Sequence, residues 1–447
     1  MSDAGELEST LLDETHEYEN FVTLEEHDPG MRESKSGNSV FQTTLVVVSI
    51  YVGLGLLSQP FALRLGGWGA IFALLIAFLL FYASALCMVS SVEQLEHDCS
   101  NLPSLGNLLG GEFGKKMVSV IAIMELFGSL TISIIIILQQ IEFFVPYSDD
   151  SSNPFWLTVC IFLGLLIPVL LLRKISLLAP ISASGTAASI ILAIAVVILV
   201  GFDPKRELVK VLGGHSTFNW TGGLQALGIF AVSFSGHSTL PSIRSNMSDP
   251  GQIRKAISYA FATMLALYLS VAICGYFYWG DKVSPVALND LVKNSPYAYG
   301  SKAGSPLWHV LPLDEILPVM VLISCIAKVP IFALIIQDLA VHVVFRSKSD
   351  SFEKAQKFPT FFPKLFIALM SLGIAILAKE KAGSLVSLIG GSCSMTMSLL
   401  LPIFVFAKLQ WQDIQDYTKA ILLLMGCLAV GLLFLVTILN LNDLLDE

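Results

Sequence analysis

The chain has 447 residues, 54% of them hydrophobic and only 14% charged, with a mean hydropathy of +0.73. Soluble domains carry nearer a quarter charged residues, so this composition excludes a large water-facing domain and indicates an all-α polytopic membrane protein. The net charge of −9 does not imply a cationic partner, because much of the acid lies in one stretch from Asp3 to Glu33, and no basic, aromatic-interleaved segment points to nucleic acid.

That acidic stretch is poor in apolar residues and cannot bury enough surface to fold, so residues 1–40 read as a disordered tail. Within it, Tyr18-Glu19-Asn20-Phe21 fits a tyrosine-based sorting pattern, of a length that chance also supplies. No apolar core precedes residue 41, so no signal peptide is expected and the first span does its own targeting. A spanning helix needs about 20 mostly apolar residues. Such runs fall at 41–63, 67–92, 116–145, 155–172, 176–200, 222–243, 254–280, 313–345, 358–378, 383–408 and 416–440, which predicts about eleven spans in a transporter domain over 41–440. Residues 441–447 are left as a short C-terminal tail. Lys and Arg are denser in the loops that share a side with the N-terminus, which places that end in the cytosol. The sequon at Asn219 then falls on the opposite side and the one at Asn246 on the cytosolic side. The cysteines show no metal-binding or disulfide spacing and read as small packing residues. There is no HExxH, GxSxG or Walker A motif, which makes a membrane enzyme the weakest alternative and argues against an ATP-driven pump, and no cofactor is expected. A channel would need a ring of like charges or repeated filter carbonyls, and neither is present.

Two spans are interrupted in the same way. Span one contains Gly53-Leu54-Gly55-Leu56-Leu57-Ser58-Gln59-Pro60, and span six contains Phe234-Ser235-Gly236-His237-Ser238-Thr239-Leu240-Pro241. Gly55 pairs with Gly236, Ser58 with Thr239 and Pro60 with Pro241. Pro60 cannot donate to the carbonyl of Leu56, nor Pro241 to that of His237, and glycine adds backbone freedom. Such backbone survives at membrane depth only where it faces protein or a wet cavity. Open carbonyls there hold a cation, and half-helix N-termini attract a carboxylate. Matching interruptions in the two halves of the chain are the device of an inverted-repeat transporter. On this reading Gly53, Gly55, Leu56, Ser58, Phe234, Ser235, Gly236, Ser238 and Thr239 are the candidate substrate-binding residues; the alternative is a pair of ordinary proline kinks. Tyr51, beside the first interruption, either shapes the pocket or packs the core.

Ionisable groups inside a span are costly, which makes them functional candidates. His237 sits in the second interruption, where it either takes up a proton or stays neutral and caps freed backbone groups. Lys328 lies mid-span beside Pro330; its ammonium either stands in for a coupling sodium ion, pairs with Glu125, or snorkels to the interface. Glu125, in span three, either pairs with a cation or relays protons.

The first-span motif, Gly66-Gly67-Trp68, Met124-Glu125-Leu126, Phe234-Ser235-Gly236-His237 with Pro241, Lys328-Val329-Pro330 and Leu388-Ile389-Gly390-Gly391-Ser392 through Pro402 occur in that order. Together they resemble the amino acid/auxin permease family, in particular its vacuolar amino-acid transporter branch. The resemblance covers residues 41 to about 440. It implies a LeuT-like fold of five-plus-five inverted repeats with an eleventh span. It also implies proton-coupled transport of amino acids, with a proton as the only coupling ion, across a vacuolar or lysosomal membrane, the plasma membrane being the alternative. Ser238-Thr239-Leu240 is more hydroxylated than the apolar run usual after the Gly-His pair. An amino-acid sensor of the same fold, signalling through the acidic tail, fits the same residues.

Overall fold

The computed structural model describes residues 37–52, 54–95, 102–145, 154–171, 175–202, 214–285, 313–344, 361–378 and 388–446, and helices fill the apolar runs marked in the sequence. A helix closes its own backbone hydrogen bonds, which is why an apolar run in lipid takes that form. In chain order the helices are α1a (Val40–Tyr51), α1b (Leu54–Gly66), α2 (Ala70–Gln94), α3 (Leu102–Phe144), α4 (Pro154–Leu170), α5 (Ile175–Phe202), α6a (Trp220–Phe234) and α6b (Leu240–Ser245). They continue with α7 (Ile253–Trp279), α8a (Leu313–Ile326), α8b (Val329–Val344), α9 (Phe361–Ala378), α10 (Leu401–Gln410, preceded by π-helical turns Gly390–Ser394 and Thr396–Leu400) and α11 (Asp416–Asp446). Among the described residues, 7 of the helical stretches are each long and apolar enough to cross a bilayer, and α1a with α1b makes up to 8. α4, α5 and the two-part α6 complete the eleven segments that the sequence predicts.

Several boundaries differ from the sequence reading, each for a local reason. The first interruption lies between Tyr51 and Leu54, not at Gly55–Pro60: α1b runs unbroken through both Gly55 and Pro60. α3 begins at Leu102, with a kink at Gly110 and Gly111, and Gly111 takes a positive φ of 59° that only glycine adopts freely. Span eight carries a two-residue turn at Ala327–Lys328, between α8a and α8b. α11 continues to Asp446, through most of the stretch expected as a tail. The acidic tail up to residue 36, its Tyr18 motif and Gly53 lie outside the described residues.

Two devices fix the ends of the interrupted spans. Ser39 opens α1a with a reciprocal capping box to Gln42. Asn38 pairs in parallel with Met247, donating to Asn246 O (2.9 Å) and accepting from Ser248 N (3.1 Å), which stitches the start of span one to the end of span six. At the other side Asn219, the sequon asparagine, caps α6a by accepting from Gly222 N at 3.2 Å. In the interior α1b packs on α6a, α7 lies against both halves of α1, α8b packs on α3, and α8a on α5. The aromatic centre of that packing is Phe81, Phe230, Phe234, Phe261 and Tyr268, all essentially inaccessible.

Candidate functional site

Each interruption is made by residues upstream of the proline that the sequence points to. At the first, Val52 turns extended (φ −78°, ψ 114°) and α1b leaves α1a at 50°. At the second, Ser235 is extended and Gly236 takes a φ of 146°, a left-handed conformation that an L side chain strongly disfavours. A Cβ on Gly236 would also lie 2.5 Å from the Tyr51 ring, so the glycine lets the two interruptions touch. Pro241 follows the break inside the first turn of α6b, where a missing N–H costs nothing. Gly55 has a different job from Gly236. A Cβ there would meet Ser233 Oγ at 2.5 Å and Ser233 Cα at 2.9 Å, so Gly55 is a contact glycine between α1b and α6a.

The unwound backbone groups are claimed by side chains from other helices. The Tyr268 hydroxyl, on α7, reaches Ser233 O at 2.8 Å and Tyr51 O at 3.2 Å, one oxygen from each interrupted span. The Lys328 ammonium, at the turn in span eight, donates to Val52 O at 2.6 Å. Thr239 folds its hydroxyl back onto Gly236 O (2.7 Å), and Gly236 N donates to Ser398 Oγ (3.4 Å) in the π-helical part of span ten. Gln59 donates to both Gly55 O (2.7 Å) and Ser233 Oγ (2.8 Å), pinning α1b to α6a.

A cavity of about 50 Å³ opens at the meeting point of the interruptions. Of the sequence candidates, Gly55, Ser235, Gly236, Glu125 and Lys328 line it, together with Tyr51. Leu56, Ser58, Phe234, His237, Ser238 and Thr239 do not. Leu56 faces a separate small cavity between α1b, α5 and α8a. Ser58 is buried in α1b, and Phe234 belongs to the aromatic centre, stacked with Phe261 and edge-on to Tyr268.

The ionisable candidates form no ion pair with one another. Lys328 is 3% exposed, so it does not snorkel, and it makes no ion pair with Glu125; its partner is the Val52 carbonyl. Glu125 is 2% exposed: Ser238 Oγ donates to its Oε2 at 3.0 Å, while its Oε1 has no partner. His237 is fully buried behind the cavity, with Nε2 at 3.0 Å from Phe81 O and Nδ1 at 3.5 Å from the Tyr51 hydroxyl. A carbonyl only accepts, so Nε2 carries the proton and Nδ1 is free to accept from Tyr51.

Sequence reasoning missed Tyr268, Gln59 and Ser398. A polar group in an apolar helix has to find a partner, so each was a signal in principle. Only the fold reveals which backbone group it serves. Ser129 and Ser133, which line the cavity from α3, carry no motif at all.

Residues 36–440 match the family described as transmembrane amino acid transporter protein. The chain belongs to that family, which is one of membrane transporters and not of enzymes. Over 403 residues it is 23% identical to amino acid transporter AVT1E of Arabidopsis thaliana, covering 87% of this chain and 70% of that one. It is 19% identical to vacuolar amino acid transporter 3 of Schizosaccharomyces pombe, covering 81% of this chain and 52% of the yeast protein. Among solved structures, MhsT in complex with L-phenylalanine superposes with a TM-score of 0.55 over 90% of this chain and 98% of MhsT, at 14% identity. The fold is therefore the LeuT-like inverted repeat that the sequence resemblance implies.

Proposed function

We propose that the protein is a secondary active transporter of amino acids, driven by protons and independent of sodium, working by alternating access around α1 and α6. The observation that carries the reading is the Lys328 ammonium seated on the Val52 carbonyl. An unwound carbonyl at this depth is the ligand a mobile coupling cation requires. Here a tethered cation already occupies it, and a charge fixed to the protein cannot bring the energy of an ion gradient. The coupling then falls to a proton. Glu125 is the group suited to take it, being a buried carboxyl that lines the cavity. His237, occupied at both ring nitrogens, acts as a neutral brace between α6 and Phe81 of α2. Family membership and the names of the relatives support amino acids as cargo. The yeast relative supports a vacuolar or lysosomal membrane, with the N-terminus cytosolic by the distribution of Lys and Arg.

The test is uptake of labelled amino acids into proteoliposomes under an imposed pH gradient, in sodium and in potassium buffers. Uptake is expected to follow the pH gradient and to be the same in both salts. Uptake that requires sodium at fixed pH would overturn the reading. His237→Gln is expected to keep the pH dependence of transport, whereas Glu125→Gln is expected to lose it.

A further inference from the structure

A separate cavity, of about 450 Å³, lies between α2, α6a, the π-helical turns before α10, and α11. Its lining side chains are apolar, and Trp220 is the one among them that carries a hydrogen-bond donor. The cavity has a buried floor and an open mouth. Ala77, Phe81, Met395 and Leu399 form the floor and are at most 3% exposed, whereas Phe72, Ile76 and Trp220 rim the mouth at 72%, 55% and 68%. α2 is long and apolar enough to cross the bilayer and carries Phe72 and Ile76 on its outer face, so the mouth opens sideways into lipid. From Ala70 to Phe81 the cavity follows α2 for about 16 Å, at about 1.5 Å per residue. That is close to half of a hydrocarbon core about 30 Å thick, the depth that one leaflet fills. Its outer end is where α2 and α6a both begin, with Phe218 packed on Gly69 and its ring 6.0 Å from that of Trp220. Tryptophan suits a membrane interface because its ring is apolar and its N–H polar. An apolar cavity of about 150 Å³ already takes up an apolar guest rather than water. This one opens onto a solvent of hydrocarbon.

We propose that this cavity is a lipid-binding site, occupied by one acyl chain of a glycerolipid from the leaflet in which α2 and α6a begin. The chain lies along α2, with its methyl end against Phe81 and its ester carbonyl at the depth of the Trp220 N–H. The match is one of polarity as well as length, since an indole N–H only donates and an ester carbonyl only accepts. A sterol hydroxyl also has a proton to donate, and no lining side chain offers it an oxygen or nitrogen acceptor. The floor of the site is at the same time a wall of the second interruption. Phe81 accepts at its carbonyl from His237 Nε2 (3.0 Å). Leu399 follows Ser398, whose Oγ meets Gly236 N (3.4 Å) and whose carbonyl accepts from Ser84 Oγ of α2 (2.7 Å). A chain seated there packs against both supports at once, so the surrounding lipid becomes part of what holds α6 at its break.

The experiment is photolabelling in proteoliposomes with two phosphatidylcholine probes, one with a diazirine near the ester and one with it near the methyl end of the chain, the labelled residues being read by mass spectrometry. In the wild type the near-ester probe is expected to mark Phe218 and Trp220, and the near-methyl probe Ala77, Phe81, Met395 or Leu399. Ala73→Phe fills the slot with the protein's own ring. Floor labelling is then expected to fall at least roughly tenfold, while labelling of Phe362 and Phe366, exposed on α9, stays the same. Trp220→Phe keeps a ring at the mouth and removes the N–H, for a fall of roughly two- to tenfold, the range for one hydrogen bond. In detergent, added phosphatidylcholine is expected to slow hydrogen exchange at His237–Thr239 in the wild type and to leave Ala73→Phe unchanged. A near-methyl probe that marks only the exposed Phe72, Ile76 and Leu428 in the wild type overturns the proposal, and so does floor labelling that survives Ala73→Phe. A photoreactive sterol that marks the floor and displaces the acyl probe overturns the choice of occupant. Labelling unchanged by Trp220→Phe overturns the ester contact, and equal slowing of exchange in wild type and Ala73→Phe overturns the link to the break. If Ala73→Phe does not fold, the depths marked by the two probes in the wild type decide the matter.

Discussion

At the first interruption the open carbonyl of Val52 is closed by an ammonium brought in from span eight, whereas at the second the backbone is closed largely from within its own span. Gly236 turns by its own positive φ, and Thr239, three residues on, caps the Gly236 carbonyl. From outside, the Ser398 hydroxyl meets Gly236 N and the shared Tyr268 hydroxyl meets Ser233 O, while Glu125, Phe81 and Tyr51 meet the side chains of Ser238 and His237. One break is thus held by a long-range charge and the other by local geometry. A locally held break is rigid and is damaged by backbone strain. A break held at a distance is released when its partner helix moves, which suits span one to the part of the cycle that opens the site.

The largest effect is expected where local geometry is absolute. Gly236→Ala places a side chain at a φ of 146° and against the Tyr51 ring, so two penalties add. A loss of about 3–5 kcal/mol is expected from strain and overpacking together. Gly55→Ala meets only the second kind of penalty, contact with Ser233, at about 1–3 kcal/mol. Thermal unfolding of the purified variants separates the two. Adding Ser233→Gly is expected to recover part of the loss in Gly55→Ala, because it removes the Oγ and Cβ that the new methyl meets. A smaller residue at position 51 is expected to recover only the crowding part of Gly236→Ala, because the φ remains. Full recovery of Gly236→Ala by a smaller residue at position 51 would show that crowding, and not backbone conformation, makes that glycine necessary.

Tyr268 donates to a backbone carbonyl beside each break, so it tests whether they are coupled. Tyr268→Phe keeps the ring among Phe234 and Tyr51 and removes only the hydroxyl. It strands Ser233 O and weakens the hold on Tyr51 O, for an expected loss of about 1–3 kcal/mol. Hydrogen exchange should then rise on both sides, near Tyr51–Leu54 and near Phe234–His237. A rise at only one of them would mean that the hydroxyl closes that break alone.

The contrast also explains what the sequence could reveal. Apolar runs of spanning length are a property of neighbouring residues, so the helices and their number were readable directly. The second interruption was readable too, since Gly236, His237 and Thr239 carry it within a few residues. The first was placed too far along the chain, because Gly55 and Pro60 resemble the glycine and proline of span six while doing different work. Gly55 answers to Ser233, which lies far off in sequence. The turn at Ala327–Lys328 showed only as a lysine before a proline. The meaning of Lys328 depends on Val52, and no local pattern connects residues so distant. Likewise Glu125 reads as a candidate for pairing until the fold shows that its partner is the Ser238 hydroxyl, beside a cavity that it lines.

The smallest effects are expected at the two prolines, and they test the same point from the other side. If proline made the breaks, Pro60→Ala and Pro241→Ala would heal them. In the structure Pro241 sits in the first turn of α6b, where its N–H would have no helical acceptor, so Pro241→Ala is expected to change stability by under about 1 kcal/mol. Pro60 lies inside α1b, where alanine would regain the hydrogen bond to Leu56 O but lose the ring that packs against Gly275. Those two terms oppose each other, so a net change within about 1 kcal/mol is expected, with uptake retained. A folded Pro241→Ala protein that has lost uptake would return the second break to its proline. Uptake retained in both variants leaves the breaks to what holds them in space: a glycine at φ 146° in one span, and in the other a lysine reaching across from span eight.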